Sequence, residues 1–96
     1  MTYRLTPRAI NDIAAIADYL NERNPAAAAE LISDVIGRFE MLARHPYAGP
    51  PRDDILPGLR HLVLGSYIAF YQAEGGDAVI LRVLHGRQQV GEQDVG

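Results

Sequence analysis

Between residues 59 and 85 the chain is punctuated in the manner of a β-meander. Three apolar runs, Leu59–Leu64, Tyr67–Ala73 and Ala78–His85, are separated by Gly65-Ser66 and by Gly75-Gly76. Short runs rich in β-branched and aromatic residues and bounded by glycine read as strands. Gly65-Ser66 suits a two-residue turn that opens with glycine, which supplies the positive φ a tight hairpin needs, and Gly75-Gly76 marks the second turn. Ninety-six residues then leave room for one more layer and no second domain.

The N-terminal half supplies that layer. Tyr3-Arg4-Leu5 is a short strand candidate, and Thr6-Pro7 is a helix start, with a hydroxyl N-cap before a proline whose missing N–H costs nothing there. Ile10, Ile13, Ala14, Ala17 and Leu20 follow at helical spacing, with Asp12, Asp18 and Glu22 off the stripe and read as a solvated face. Asn24-Pro25 repeats the cap chemistry and opens a second stripe through Ala28, Leu31, Ile32, Val35, Phe39 and Leu42. The link between them is short, which predicts an antiparallel helix hairpin. His45-Pro46 ends the second helix because proline disfavours helical geometry in the residue before it. Tyr47–Pro57 is a proline-rich loop. The expected fold is α+β in the order β-α-α-β-β-β, an antiparallel sheet with the helix hairpin on one face. Residues 1–96 form a single domain, and the polar residues 87–96 are expected to be a flexible tail.

Hairpin register sorts the strand residues into two faces. A turn at Gly65-Ser66 sets Leu64 opposite Tyr67, Leu62 opposite Ala69 and Arg60 opposite Tyr71. An even-length loop centred on Gly75-Gly76 sets Phe70 opposite Leu81, Ala69 opposite Arg82 and Ile68 opposite Val83, an assignment that a bulge would break. One face then holds Val63, Ile68, Phe70, Leu81 and Val83, and is the one expected beneath the helices. The other holds Arg60, Leu62, Tyr71, Ile80 and Arg82. Two guanidinium forks beside a tyrosine suit recognition of phosphate or carboxylate, although an ordinary cross-strand stack of Arg60 on Tyr71 accounts for the same residues. A sheet face this apolar calls for a protein partner.

Composition removes several classes. There is no cysteine, which excludes disulfides, Cys-ligated zinc and thiol catalysis. No apolar run reaches the length of a membrane span and no signal-peptide pattern precedes the first helix, so the expected place is the cytoplasm. His45, His61 and His85 with Asp53 and Asp54 show no metal-site spacing, and neither a metal nor another cofactor is expected. Nine basic residues, all arginine, against twelve acids give a net charge of −3, a poor field for holding nucleic acid. Ribonuclease chemistry needs a base, an acid and phosphate-binding cations. Only Arg60, Arg82 and His85 offer themselves for it, with no lysine and no tyrosine after Tyr71.

The ordered set of motifs resembles the ParE toxins of the RelE/ParE superfamily. The resemblance is carried by Tyr3-Arg4-Leu5-Thr6-Pro7 with Ala9, Asp12, Ile16 and Tyr19, by Asn24-Pro25 and Ala28, and by His45-Pro46, Gly49, Arg52 and Asp54-Ile55. It continues through Pro57-Gly58-Leu59-Arg60 and Tyr67-Ile68-Ala69-Phe70-Tyr71 to Arg82-Val83-Leu84-His85-Gly86-Arg87. It departs at Gln88-Gln89, where relatives often continue with Arg and Asp.

That resemblance implies the toxin half of a bacterial type II toxin–antitoxin system that inhibits DNA gyrase without catalytic residues of its own. It implies a ParD-like ribbon-helix-helix antitoxin whose C-terminal tail wraps the toxin in a hetero-oligomer. Arg60, Leu62, Tyr71, Ile80, Arg82, His85 and Arg87 are then the residues expected to meet antitoxin or target, with no sequence-specific contact to nucleic acid. The alternatives are a RelE-like mRNA endoribonuclease working through Arg60, Arg82 and His85, and a relative that binds antitoxin without being toxic.

Overall fold

The computed structural model describes residues 2–96 and follows the expected order, with one short helix added at the end. The elements are β1 (Tyr3–Leu5), α1 (Pro7–Arg23), α2 (Pro25–Arg44), β2 (Leu59–Leu64), β3 (Tyr67–Glu74), β4 (Asp77–His85) and α3 (Glu92–Val95). The helix boundaries sit where cap chemistry puts them. Thr6 Oγ1 accepts the Ala9 N–H at 3.1 Å while donating to the Leu81 carbonyl at 2.9 Å, so the α1 cap is also an anchor to the sheet. Asn24 closes α1, donating its N–H to the Leu20 carbonyl, and its side chain accepts the Ala27 N–H to open α2. One residue therefore serves as the whole connection, and the two helices must lie side by side.

The sheet order is β1-β4-β3-β2. The antiparallel sheet expected from the sequence is corrected in one respect: β1 pairs parallel with β4, so the sheet is mixed. Two crossing helices return the chain before β2 begins, which leaves the first strand to dock beside the last. Both hairpins turn where expected, with Leu64 opposite Tyr67 and Glu74 opposite Asp77. Gly65, Gly75 and Gly76 have φ of 61°, 60° and 86°, the left-handed region that these turns require.

A β-bulge overturns the expected faces. Tyr71 pairs with Ile80, as an even turn demands, but the next pair is Phe70 with Arg82, leaving Leu81 extra. Ala69 therefore faces Val83, and Ile68 faces Leu84. The helices cover Leu62, Leu64, Ala69, Tyr71, Ile80 and Val83, which meet Ala9, Val35, Phe39 and Leu42 in the main core. This is the face expected to be open. Register decides which residues share a face, but not which face receives the helices. Leu62, Leu64, Tyr71 and Ile80 offer the bulk that Phe39 and Leu42 pack against, and the bulge moves Val83 to join them. Along α1 the packed positions are Ala9, Ile13 and Ile16, whereas Ile10 is exposed.

The back face of the sheet carries a second, smaller core of Leu59, Phe70, Leu84 and Val95, flanked by Ile55, Leu56, Ile68, Leu81 and Val90. Within the segment expected to be a flexible tail, Val90 and Val95 pack on this face, and Val95 is only 4% exposed. The proline loop covers part of the free edge of β2. Arg52 N–H donates to the Leu59 carbonyl at 2.7 Å and His61 N–H to the Pro50 carbonyl at 3.2 Å, which blunts an edge open to further strand pairing.

Candidate functional site

The residues singled out in the sequence divide sharply by burial. Leu62, Tyr71 and Ile80 are interior. Arg82 follows the bulge and reaches α1, where its Nε and Nη2 donate to the two Asp12 carboxylate oxygens at 2.6 and 2.9 Å. Asp12 also accepts the Val83 N–H at 3.0 Å, and Arg82 Nη1 donates to the Asp94 carbonyl at 2.9 Å. The two side chains are 16% and 15% exposed, and the Asp12 carboxylate holds the guanidinium pKa above its ordinary value. Asp12 is therefore no solvated acid. Its i, i+4 relation to Ile16 and i, i+3 relation to Ala9 place it beside the buried stripe, a signal available from spacing alone.

Arg60 is held in the same way by different partners. Its Nη1 donates to the Gly49 carbonyl at 2.7 Å and the Tyr47 carbonyl at 3.1 Å, and its guanidinium lies 5.0 Å from the Tyr47 ring centre. Tyr71 is fully buried, and its hydroxyl oxygen accepts the Gly49 N–H at 2.8 Å. Burial raises the phenol above its usual value, with the Gly49 bond and the Arg60 charge acting in the opposite direction. The open face expected to carry Arg60 and Arg82 together is corrected: one arginine pins the proline loop, and the other joins α1 to β4.

His85 and Arg87 alone of the expected set are exposed. His85 Nδ1 accepts the Arg87 N–H at 3.1 Å, and its ring meets Tyr67 edge-on at 5.4 Å between centres. Tyr67 and His85 line a cleft of about 310 Å³ with Ala15, Ile16 and Tyr19. Tyr19 is exposed and carries the Arg23 guanidinium 3.7 Å above its ring centre. On the outer side of the hairpin a groove of about 640 Å³ runs between α1 and α2, lined chiefly by Ala17, Ala28, Ala29, Ile32 and Ile36. Tyr19 and Ile36 lie off the stripes read from the sequence, and with Ile10 they expose apolar surface on the helix hairpin. The arrangement is suited to binding a peptide or protein surface through apolar and aromatic contacts.

Among the described residues no three His, Asp or Glu side chains are grouped to hold a metal, and no helix is long and apolar enough to cross a membrane. His61 is placed apart from His45 and His85. Its Nδ1 is buried without a partner, and burial depresses its pKa below 6.5, with Arg52 adding to the effect and Asp54 opposing it. The folded form resists a proton that the unfolded chain accepts, so His61 contributes stability that is present above pH 6.5 and lost as pH falls from there through the folded pKa. Urea midpoints measured from pH 7.5 downward are expected to fall across that window. The decline is expected to be shallower for His61→Gln; an equal slope would show that His61 does not cause it.

The model of the family described as the ParE toxin of the type II toxin–antitoxin system parDE matches residues 3–90, from β1 through β4. The chain belongs to the ParE toxin family. Toxin ParE1 of Caulobacter vibrioides is 36% identical over 84 residues, 86% of either chain. Toxin ParE1 of Mycobacterium tuberculosis is 33% identical over 90 residues, 92% of either chain. Among solved structures, a chain of the chromosomal ParDE toxin–antitoxin system from P. aeruginosa superposes with a TM-score of 0.73 at 27% identity, covering 88% of this chain and 95% of that one. A chain of the toxin–antitoxin complex RelBE2 from Mycobacterium tuberculosis superposes at 0.60 and 28% identity with the same coverage. These likenesses bear out the RelE/ParE fold expected from the motifs. In this ParE-family chain Arg60, Tyr71 and Arg82 are engaged within the fold, while the hairpin groove and the Tyr19–Tyr67–His85 cleft are open to solvent.

Proposed function

We propose that this ParE-family chain is a toxin that acts by binding, that its target is DNA gyrase, and that a ParD-like ribbon-helix-helix antitoxin neutralises it. The observation that carries the binding mode is the engagement of Arg60 and Arg82 with internal acceptors, the carbonyls of Tyr47, Gly49 and Asp94 and the Asp12 carboxylate. Arg82, engaged through all three nitrogens, is not free to clamp a phosphate, Arg60 is drawn onto the proline loop through Nη1, and a net charge of −3 supplies no broad cationic surface in their place. The apolar groove of the hairpin suits an antitoxin segment that folds as it binds, giving a hetero-oligomer of toxin and antitoxin. An intracellular target requires residence in the cytoplasm, which is part of the same proposal.

Purified chain is expected to inhibit gyrase supercoiling and to accumulate cleaved DNA. His85→Ala with Arg87→Glu is expected to weaken that inhibition at least tenfold while leaving the urea midpoint unchanged, because both side chains are exposed. Unaffected supercoiling at large molar excess would overturn the gyrase reading. Rapid mRNA cleavage after induction would replace it with the ribonuclease, and normal growth without antitoxin would replace it with the non-toxic relative.

A further inference from the structure

The back face of the sheet is covered by the chain's own last residues, through attachments that are few and local. Val95 enters the apolar cluster of Leu59, Phe70 and Leu84, and Val90 packs at its margin. The backbone of this segment is received by two cations. Arg82 Nη1 donates to the Asp94 carbonyl at 2.9 Å, and Arg8 Nη1 reaches the Gly96 carbonyl at 3.5 Å. The segment is otherwise closed on itself: Gly91 N–H donates to Asp94 Oδ2, Asp94 N–H to the Gly91 carbonyl, and Gly96 N–H to the Glu92 carbonyl. It carries Glu92 and Asp94 and no cation, and α3 lies beyond the span matched by the ParE family.

We propose that Val90–Gly96 is a displaceable strap: the back face of the sheet is a peptide-binding surface, filled in cis by this segment and open in trans to acidic peptides with the same two apolar anchors. Three features support this. The strap follows an exposed turn at Gly86–Gln89, so it can lift without drawing on β4. Its release frees Arg8 Nη1 and, of the Arg82 donors, only Nη1, since Nε and Nη2 stay on Asp12 and the α1–β4 junction is kept. The surface it leaves is apolar with Arg82 and Arg8 beside it, which fits an acidic partner. Elements held by so few contacts open locally, ahead of global unfolding. A tether this short keeps the strap at an effective concentration of about millimolar, so free peptide competes poorly until the strap is weakened. The inference rests on these contacts and not on the gyrase reading.

The test uses the full chain and its Val95→Asp variant, with a fluorescent synthetic peptide of residues 88–96 as probe. The variant is expected to unfold cooperatively, to lose hydrogen-exchange protection in residues 88–96 and to keep it in both long helices. It is expected to bind the native peptide at least tenfold more tightly than the unaltered chain does, and to ignore a peptide carrying the same Val95→Asp change. Loss of cooperative unfolding in V95D would make Val95 an integral core residue and overturn the proposal. A folded V95D chain that binds no peptide, binds no better than the unaltered chain, or takes both peptides equally would overturn it as well.

Discussion

Arg82→Ala is expected to destabilise the fold by about 1–3 kcal/mol, between the values for exposed and for fully buried ion pairs. Asp12 sits on α1 with 15% of its side chain exposed, and three donors satisfy it: Arg82 Nε, Arg82 Nη2 and the Val83 N–H. Removing the guanidinium leaves that part-buried carboxylate with a single protein donor, the Val83 N–H. The Asp94 carbonyl loses its donor at the same time. Asp12→Ala is expected to cost a comparable amount for the mirror reason, since it leaves an unpaired guanidinium. The double variant should cost less than the two losses combined by more than about 1 kcal/mol, the signature of groups that act as a unit. Chemical denaturation of the four chains checks this. An Arg82→Ala midpoint equivalent to a change within about 0.5 kcal/mol would show that the pair adds nothing net. The consequence for function is direct. If Arg82→Ala abolishes toxicity, the loss reports a damaged α1–β4 junction before it reports any chemistry, and an activity assay on that variant must be read beside its stability.

The contrast between these roles and the expected ones shows where sequence reasoning holds. Helix starts at Thr6-Pro7 and Asn24-Pro25 and turns at Gly65-Ser66 and Gly75-Gly76 are local chemistry, and each appears where its residues put it. The bulge at Leu81 is not local in that sense. Its extra residue, Leu81, offers its carbonyl to Thr6 Oγ1, a partner 75 residues away in the chain. That single extra residue moves Val83 across the sheet and Arg82 toward α1. The inverted sidedness has a different cause, because two apolar faces were both eligible and only tertiary packing could choose between them. The parallel docking of the three-residue β1 had no signal beyond its length. His85 ends β4 and is exposed, with its Nδ1 accepting the Arg87 N–H. The Tyr19–Tyr67–His85 cleft was hidden because its residues come from α1, β3 and β4 and meet only once the hairpin lies on the sheet.

Gly49→Ala is expected to cost about 2–5 kcal/mol, combining overpacking of a closed site with the loss of a buried hydrogen bond. The reason is space. A Cβ at this position would stand 2.4 Å from the His61 carbonyl oxygen and 2.6 Å from the Tyr71 hydroxyl oxygen, one of them backbone in β2 and unable to yield cheaply. Relief requires the loop to lift, and Gly49 is where that loop is fastened. Its N–H donates to the Tyr71 hydroxyl oxygen and its carbonyl accepts from Arg60. Lifting it strands a buried hydroxyl and releases Arg60 from an acceptor. It also strains the neighbouring bond from His61 N–H to the Pro50 carbonyl, which guards the edge of β2. Gly49→Ala is therefore expected to lower the thermal midpoint and to aggregate on heating, since an uncovered strand edge pairs with other chains. Gly58→Ala is the control. It faces open space and disturbs only a φ of 81°, so a loss of about 1 kcal/mol is expected. On a Tyr71→Phe background, the Gly49→Ala loss should shrink without vanishing, because the His61 carbonyl still stands in the way. A Gly49→Ala chain as stable as its parent would mean that the proline loop lifts freely. Arg60 would then be available to a ligand after all, and the case against a phosphate clamp would rest on Arg82 alone.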